Sequence, residues 1–280
     1  MQLTIAILAA GQGTRMRSRQ PKVLHPVAGR AMIVEVLEVA RKLGPARIGL
    51  VVGHGADEVC ASIGELADGE YVLQREQLGT GHAVVQARPA LEGHGDTVLV
   101  LFGDTPLTRS ETLHTLLERH AAEGATISLL TFVPDDPTGY GRIVRDGEGR
   151  IQAIVEHRDA TAEQRAIREC NGGIMAFDAG WLWRHLDDLP LSPKGEYYLT
   201  DTVAMAVAEG RLVTSLVTGD TTEVMGINDR VQLAEAGAVL FQRRREALMR
   251  AGVTMIDPGT VYVGPEVEIG ADSVIYPNVW

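Results

Sequence analysis

Thr4-Ile5-Ala6-Ile7-Leu8-Ala9-Ala10-Gly11-Gln12-Gly13-Thr14-Arg15-Met16, followed by Pro21-Lys22, decides how the chain is read. An apolar run of strand character delivers the backbone into a loop with two glycines, a hydroxyl and a guanidinium, and a lysine follows. Glycines let backbone N–H groups close around an anion, and the two cations can neutralise phosphate charge. The stretch reads as a seat for a nucleoside triphosphate. A dinucleotide loop needs glycine where Met16 stands, and a P-loop needs Gly-Lys-Ser/Thr where Met16-Arg17-Ser18 stand, so both fail on spacing. A plain strand-to-helix turn stays open from this segment alone. No secretory leader is expected, because no basic residue precedes the short apolar run Ile5–Ala10.

Outward from this loop, apolar strand-like runs alternate with helix-like ones. Thr4–Ala9, Ile48–Val52, Tyr71–Leu73 and Thr97–Phe102 read as strands. Met32–Leu43, Asp57–Leu66, Gly81–Arg88 and Ser110–Glu123 read as helices, the last capped by Ser110. Such alternation implies βαβ units and a parallel sheet with helices on both faces, whose ligands sit at the carboxyl ends of the strands. Ile127–Phe132, Gly141–Arg145 and Ile151–Glu156 are shorter strands, punctuated by Pro134, Pro137 and the hairpin signal Asp146-Gly147, and read as an antiparallel insertion over the cleft. Asn228–Ala251 is a long helical stretch whose run Arg243-Arg244-Arg245 reads as a solvated face.

The last residues divide into hexads that begin at Val263, Ile269 and Ile275. An aliphatic residue every six positions is the mark of parallel β-helix coils, although three hexads complete only one triangular turn. The expected division is a domain over 1–227, a linker helix over 228–252 and the start of a β-helix over 253–280.

Composition narrows the class. The 280 residues suffice for a full core, and the net charge of −11 argues against a general nucleic-acid binder. No apolar run approaches membrane-spanning length, so no membrane partner is expected. The two cysteines, Cys60 and Cys170, lack metal-ligand spacing and read as buried free thiols in a reducing, cytoplasmic setting. Of the 26 basic residues only Lys22, Lys42 and Lys194 are lysines. A compact ammonium suits a single oxygen, whereas a guanidinium prefers a fork.

Four polar groupings follow strand-like runs. Asp104 in Phe102-Gly103-Asp104 is placed to hold Mg²⁺ against phosphates, or to cap the turn. Gln74 and Gly79-Thr80 offer an amide and backbone N–H groups that can read a base edge, though Gly-Thr-Gly also starts ordinary helices. Gly141, Glu156 and Asn171 supply what sugar hydroxyls and an acetamido group would hydrogen-bond, or are turns. Asn228 is either the N-cap of the long helix or a metal ligand opposite Asp104.

Taken together, Leu8-Ala-Ala-Gly-Gln-Gly-Thr-Arg-Met16, Pro21-Lys-Val-Leu-His25, Glu76-Gln-Leu-Gly-Thr-Gly-His82, Asp135-Asp-Pro-Thr-Gly-Tyr-Gly-Arg-Ile143 and Gly195-Glu-Tyr-Tyr-Leu-Thr-Asp201 carry a resemblance. The chain resembles the bacterial bifunctional N-acetylglucosamine-1-phosphate uridyltransferase / glucosamine-1-phosphate N-acetyltransferase family. The resemblance implies an α/β, Rossmann-like nucleotidyltransferase domain with a mixed, mostly parallel sheet, then a linker helix and the first turn of a left-handed parallel β-helix. It implies formation of UDP-N-acetylglucosamine and pyrophosphate from UTP and N-acetylglucosamine 1-phosphate with Mg²⁺, a cytoplasmic step towards cell-wall precursors. It assigns Leu8, Ala9, Ala10, Gly11, Gln74, Gly79 and Thr80 to the uridine side and Phe102 and Gly103 to the phosphates. It gives Arg15 and Lys22 to the reacting phosphates, Gly141, Glu156 and Asn171 to the aminosugar, and Asp104 and Asn228 to the metal. A homotrimer is expected only where the full β-helix is present, and acetyl transfer is not carried over. The chain departs from the family at Gly172, usually Thr, and at Phe102, usually Tyr. The alternatives are a related enzyme that takes another sugar phosphate or base, and a catalytically silent nucleotide-sugar sensor.

Overall fold

A computed structural model describes residues 1–280. In chain order it runs β1 (Leu3–Ala9), α1 (Met32–Lys42), β2 (Arg47–Val52), α2 (Ala56–Ile63), β3 (Gly69–Leu73), α3 (Thr80–Leu91), β4 (Thr97–Phe102) and α4 (Ser110–Glu123). It continues through β5 (Ile127–Phe132), β6 (Arg142–Arg145), β7 (Ile151–Val155), α5 (Ala162–Arg165), β8 (Cys170–Asp178), α6 (Ala179–His185), α7 (Asp201–Ala208), β9 (Val213–Val217) and α8 (Arg230–Arg250). The nine strands form one sheet, ordered β9-β5-β8-β4-β1-β2-β3, with the β6–β7 hairpin attached to β8. All neighbours along that order are parallel except at β8, which is antiparallel to both β4 and β5. The alternation of runs points to a parallel sheet, and the antiparallel β8 makes it the mixed, mostly parallel sheet that the family resemblance implies.

β1 is buried along its whole length because both its faces are covered. Leu3, Ile5, Ile7 and Ala9 face α1, α2 and α4 through Ile33, Leu37, Val59, Leu113 and Leu116. Ala6, Leu8 and Ala10 face α3, α6 and α7 through Val84, Leu91, Trp181, Leu182 and Val203. With β1 in the middle, the loops after β1 and β4 open side by side at one edge of the sheet, and Gly103 N–H donates to Leu8 O at 2.9 Å.

Several expectations need correction. Ile127–Phe132 is no part of an insertion: β5 lies inside the main sheet between β8 and β9, and only β6 and β7 form a hairpin beyond it. Ser110 is the first residue of α4 and not its cap; Arg109 occupies that position, with no side-chain hydrogen bond. Cys170 is buried as expected, while Cys60 is half-buried.

The arginine run is not a solvated face. Arg243 donates to Leu107 O at 2.6 Å and pairs with Asp220 at 3.1 Å. Arg244 donates to Ala28 O at 2.8 Å and pairs with Glu35 at 3.1 Å, and Arg245 donates to Val261 O at 3.1 Å. These arginines pin α8 to the sheet domain on one side and to the C-terminal segment on the other. In that segment Thr254–Met255 pairs in parallel with Val274–Ile275, which lies 20 residues further along the chain. Val253, Met255, Val261 and Val263 form a small core against Leu248 and Met249 of α8.

Candidate active site

The loop after β1 is shaped for close approach. Gly13 lies at φ +61° and Arg17 at φ +49°, bracketing a single 3-10 turn over Thr14–Met16 whose buried anchor is Met16. The N–H groups of Gly11, Gln12 and Gly13 donate to no carbonyl of the chain. A Cβ on Gly13 would lie 2.5 Å from Cβ of Lys22, so the lysine stem runs directly along the glycine loop.

Leu8, Ala9, Ala10, Gly11, Arg15, Lys22, Gln74, Gly79, Thr80, Phe102 and Asp104 line one cavity of about 560 Å³. Gly103 does not: an added Cβ would sit 3.0 Å from both Ala9 Cβ and Ile33 Cδ1, so its smallness serves packing behind the cavity wall. Gln74 is 3 % exposed, and its Nε2 donates to Gly79 O at 3.2 Å. Since a carbonyl can only accept, that bond fixes the amide orientation and leaves Oε1 as an acceptor. Thr80 is already engaged, its Oγ1 accepting from Leu199 N at 3.0 Å.

Gly141, Glu156, Asn171, Phe102, Arg15 and Asn228 line a second cavity of about 540 Å³. An added Cβ on Gly141 would lie 3.6 Å from Glu156 Oε1 and 3.7 Å from Asn171 Cβ, so these three residues share one spot. Burial pushes the Glu156 carboxyl above the usual glutamate range, and the hydrogen bond it accepts from Thr200 at 3.1 Å opposes that shift only partly. Asn171 Oδ1 accepts from Gly173 N at 3.1 Å within a bulge of β8. At Gly172 an added Cβ would sit 2.7 Å from Val224 Cγ1 and 2.8 Å from Leu130 O, which explains locally why a larger residue is absent.

Both cavities are also lined by Glu196 and Tyr198, which residue-by-residue reading left without a role. The signal was present, since both belong to the segment Gly195–Asp201 quoted above. That segment docks on the loop before α3: Tyr197 N donates to Leu78 O, and Gly81 N to Tyr197 O, each at 2.8 Å. A Cβ on Gly79 would meet Tyr197 O at 2.5 Å, so the tight docking requires glycine there.

Asp104 and Asn228 meet where the cavities join. Ile227 N donates to Asp104 O at 2.9 Å and brings the two loops together. Asn228 is not the helix cap. Asp229 takes that role, accepting from Val231 N and Gln232 N at 2.9 Å each, and so releases the Asn228 side chain. Asn228 Nδ2 donates to Gly226 O at 3.1 Å, which orients Oδ1 towards Lys22. The ammonium of Lys22 bonds both that oxygen and the Asp104 carboxylate. A carboxylate and an amide oxygen thus converge on one positive centre, and Mg²⁺ is commonly held by one or two carboxylates with substrate phosphates completing its shell. The donor set fits such an ion.

Comparison with known proteins identifies the family and the fold. The model of the MobA-like NTP transferase domain matches residues 5–172. The "Bifunctional protein GlmU" of Heliobacterium modesticaldum is 50% identical over 276 residues, covering 98% of this chain and 60% of that protein. The protein of the same name from Stutzerimonas stutzeri is 52% identical over 280 residues, covering 100% and 61%. The chain thus spans about three-fifths of the length of these curated relatives. Among solved structures, one described as a glucose-1-phosphate thymidylyltransferase from Bacillus anthracis aligns with TM-score 0.70 over 85% of this chain and 94% of that one. At 20% identity that likeness concerns the fold alone.

Proposed function

The chain belongs to the MobA-like NTP transferase family, and on that premise we propose that it transfers the uridylyl group of UTP to N-acetylglucosamine 1-phosphate, releasing pyrophosphate. The observation that carries the proposal is the pair of cavities joined at one cationic centre. The nucleotide-type lining and the sugar-type lining share Arg15, Phe102, Glu156, Glu196 and Tyr198, and Asp104 and Asn228 lie at their junction. The choice of uracil and of an acetamido sugar rests on the motif resemblance together with Gln74, Glu156 and Asn171.

A sugar 1-phosphate has a second pKa of about 6 and is already an anion at neutral pH, so the site needs no general base. It needs in-line placement of two phosphates and neutralisation of their charge. Glu156, Asn171 and the backbone at Gly141 would fix the sugar. Arg15, exposed on the glycine loop, and Lys22 would hold the departing pyrophosphate, with the open N–H groups of Gly11–Gly13 beside them. Enzymes of this family work with a divalent metal, which we assign as Mg²⁺ held by Asp104 and Asn228. When bound, it supplies charge neutralisation at the reacting phosphates. No helix is long and apolar enough to cross a membrane, and we place the reaction in the cytoplasm as a step towards cell-wall precursors. The C-terminal segment is proposed as the first coil of a β-helix.

Mass spectrometry of the products tests the proposal. UDP-N-acetylglucosamine forms only when UTP, N-acetylglucosamine 1-phosphate and Mg²⁺ are all present. Its absence under those conditions refutes the assignment.

A further inference from the structure

Lys22 is committed twice. Its place beside the glycine loop suits a phosphate, yet its ammonium bonds Asp104 Oδ2 and, at 3.2 Å, Asn228 Oδ1, the two oxygens assigned above to the metal. We propose that Lys22 is an internal counter-cation of the metal site: it holds the two oxygens until a divalent ion displaces it, and displacement hands its charge to the nucleotide phosphates. The inference rests on the reading of Asp104 and Asn228 as metal ligands.

Three observations carry it. An ammonium and a divalent ion cannot both sit on one carboxylate oxygen, because like charges at contact distance repel strongly where water is scarce, and the Lys22 side chain is only 12 % exposed. The lysine stem runs along the glycine loop, and its polar contacts are confined to its tip. An added Cβ on Gly13 would lie 2.5, 3.3 and 3.4 Å from Lys22 Cβ, Cγ and Cδ, whereas the ammonium touches only the two side-chain oxygens. On this proposal, rotation about the last bonds of the side chain would carry the charge from Asp104 to phosphate oxygens seated at the open amides of Gly11–Gly13. Finally, the residue is one of three lysines against 23 arginines. A point charge can trade one oxygen for another, where a guanidinium would be tied to a planar fork.

It follows that the nucleotide-free protein binds divalent metal weakly, and that nucleotide strengthens metal binding partly by giving Lys22 another partner. Calorimetric titration of Mn²⁺ into nucleotide-free protein measures this apart from turnover. Wild type would be compared with Lys22→Met, Lys22→Gln, Asp104→Ala and the double variant Lys22→Met/Asp104→Ala, each first checked for wild-type circular dichroism. Both neutral Lys22 variants are expected to bind Mn²⁺ about tenfold tighter or more, since a charge-assisted competitor is gone. Asp104→Ala and the double variant are expected to lose that site. Unchanged or weakened Mn²⁺ affinity in both Lys22 variants overturns the inference. Mn²⁺ binding indifferent to Asp104→Ala instead overturns the assignment of the metal ligands beneath it.

Discussion

Glu156, a single residue, carries a stability cost at the proposed sugar site. Its burial holds the carboxyl above the ordinary glutamate range, so between the ordinary value and the raised one the folded chain keeps a proton that the unfolded chain has lost. Stability therefore falls as pH rises through that window, and the full penalty remains above it. Glu156→Gln removes the charge and keeps an acceptor for Thr200. It is expected to raise Tm at pH 7, with the gain vanishing below about pH 4.5, and to raise KM for the sugar phosphate by about tenfold or more. Thermal melts across pH and initial-rate kinetics check the two halves. Gly172→Thr would push against Val224 and Leu130 O and should cost about 1–3 kcal/mol, read as a lower Tm. The roles of single residues were unevenly legible. The place of Gln74 in the cavity wall was readable from its loop, but nothing local marked Asp229, and not its neighbour Asn228, as the cap. That choice depends on backbone direction at the start of α8, which a string of letters does not carry.

Among the elements, those buried on both faces were the most legible. β1 and β4 are uninterrupted apolar runs because helices cover both sides of a central parallel strand. β5 is equally apolar, yet its place between β8 and β9 depends on partners 38 and more residues away in sequence, so no local pattern could separate it from the hairpin that follows. α8 misled for a related reason. Three consecutive arginines read as solvated, but each finds a carbonyl or carboxylate supplied by distant parts of the chain. Arg244→Ala would leave Glu35, whose side chain is 14 % exposed, with only the more distant Arg30, and would strip donors from Ala28 O. A loss of about 1–3 kcal/mol is expected, or a few degrees in Tm, measurable by calorimetry.

At the scale of the molecule, two faces of one sheet make the core, and one edge of it makes the site. The loops after β1 and β4 and the start of α8 bring Lys22, Asp104 and Asn228 together from 206 residues of sequence separation. Residues beyond α8 add a small core of their own and no lining to either cavity. A chain ended after residue 252 is therefore expected to keep the turnover of the longer chain, whereas one ended after residue 227 loses Asn228 and with it turnover. We propose that this end of the sheet carries uridylyl transfer to an acetamido sugar phosphate. Initial rates of pyrophosphate release, measured with Mg²⁺ over UTP, dTTP, CTP and GTP against N-acetylglucosamine 1-phosphate and glucose 1-phosphate, test it most directly. UTP with N-acetylglucosamine 1-phosphate should be the fastest pair, and Asp104→Ala should lower that rate by about 10²–10³-fold. No release from that pair above background, or an Asp104→Ala rate equal to wild type, would contradict it.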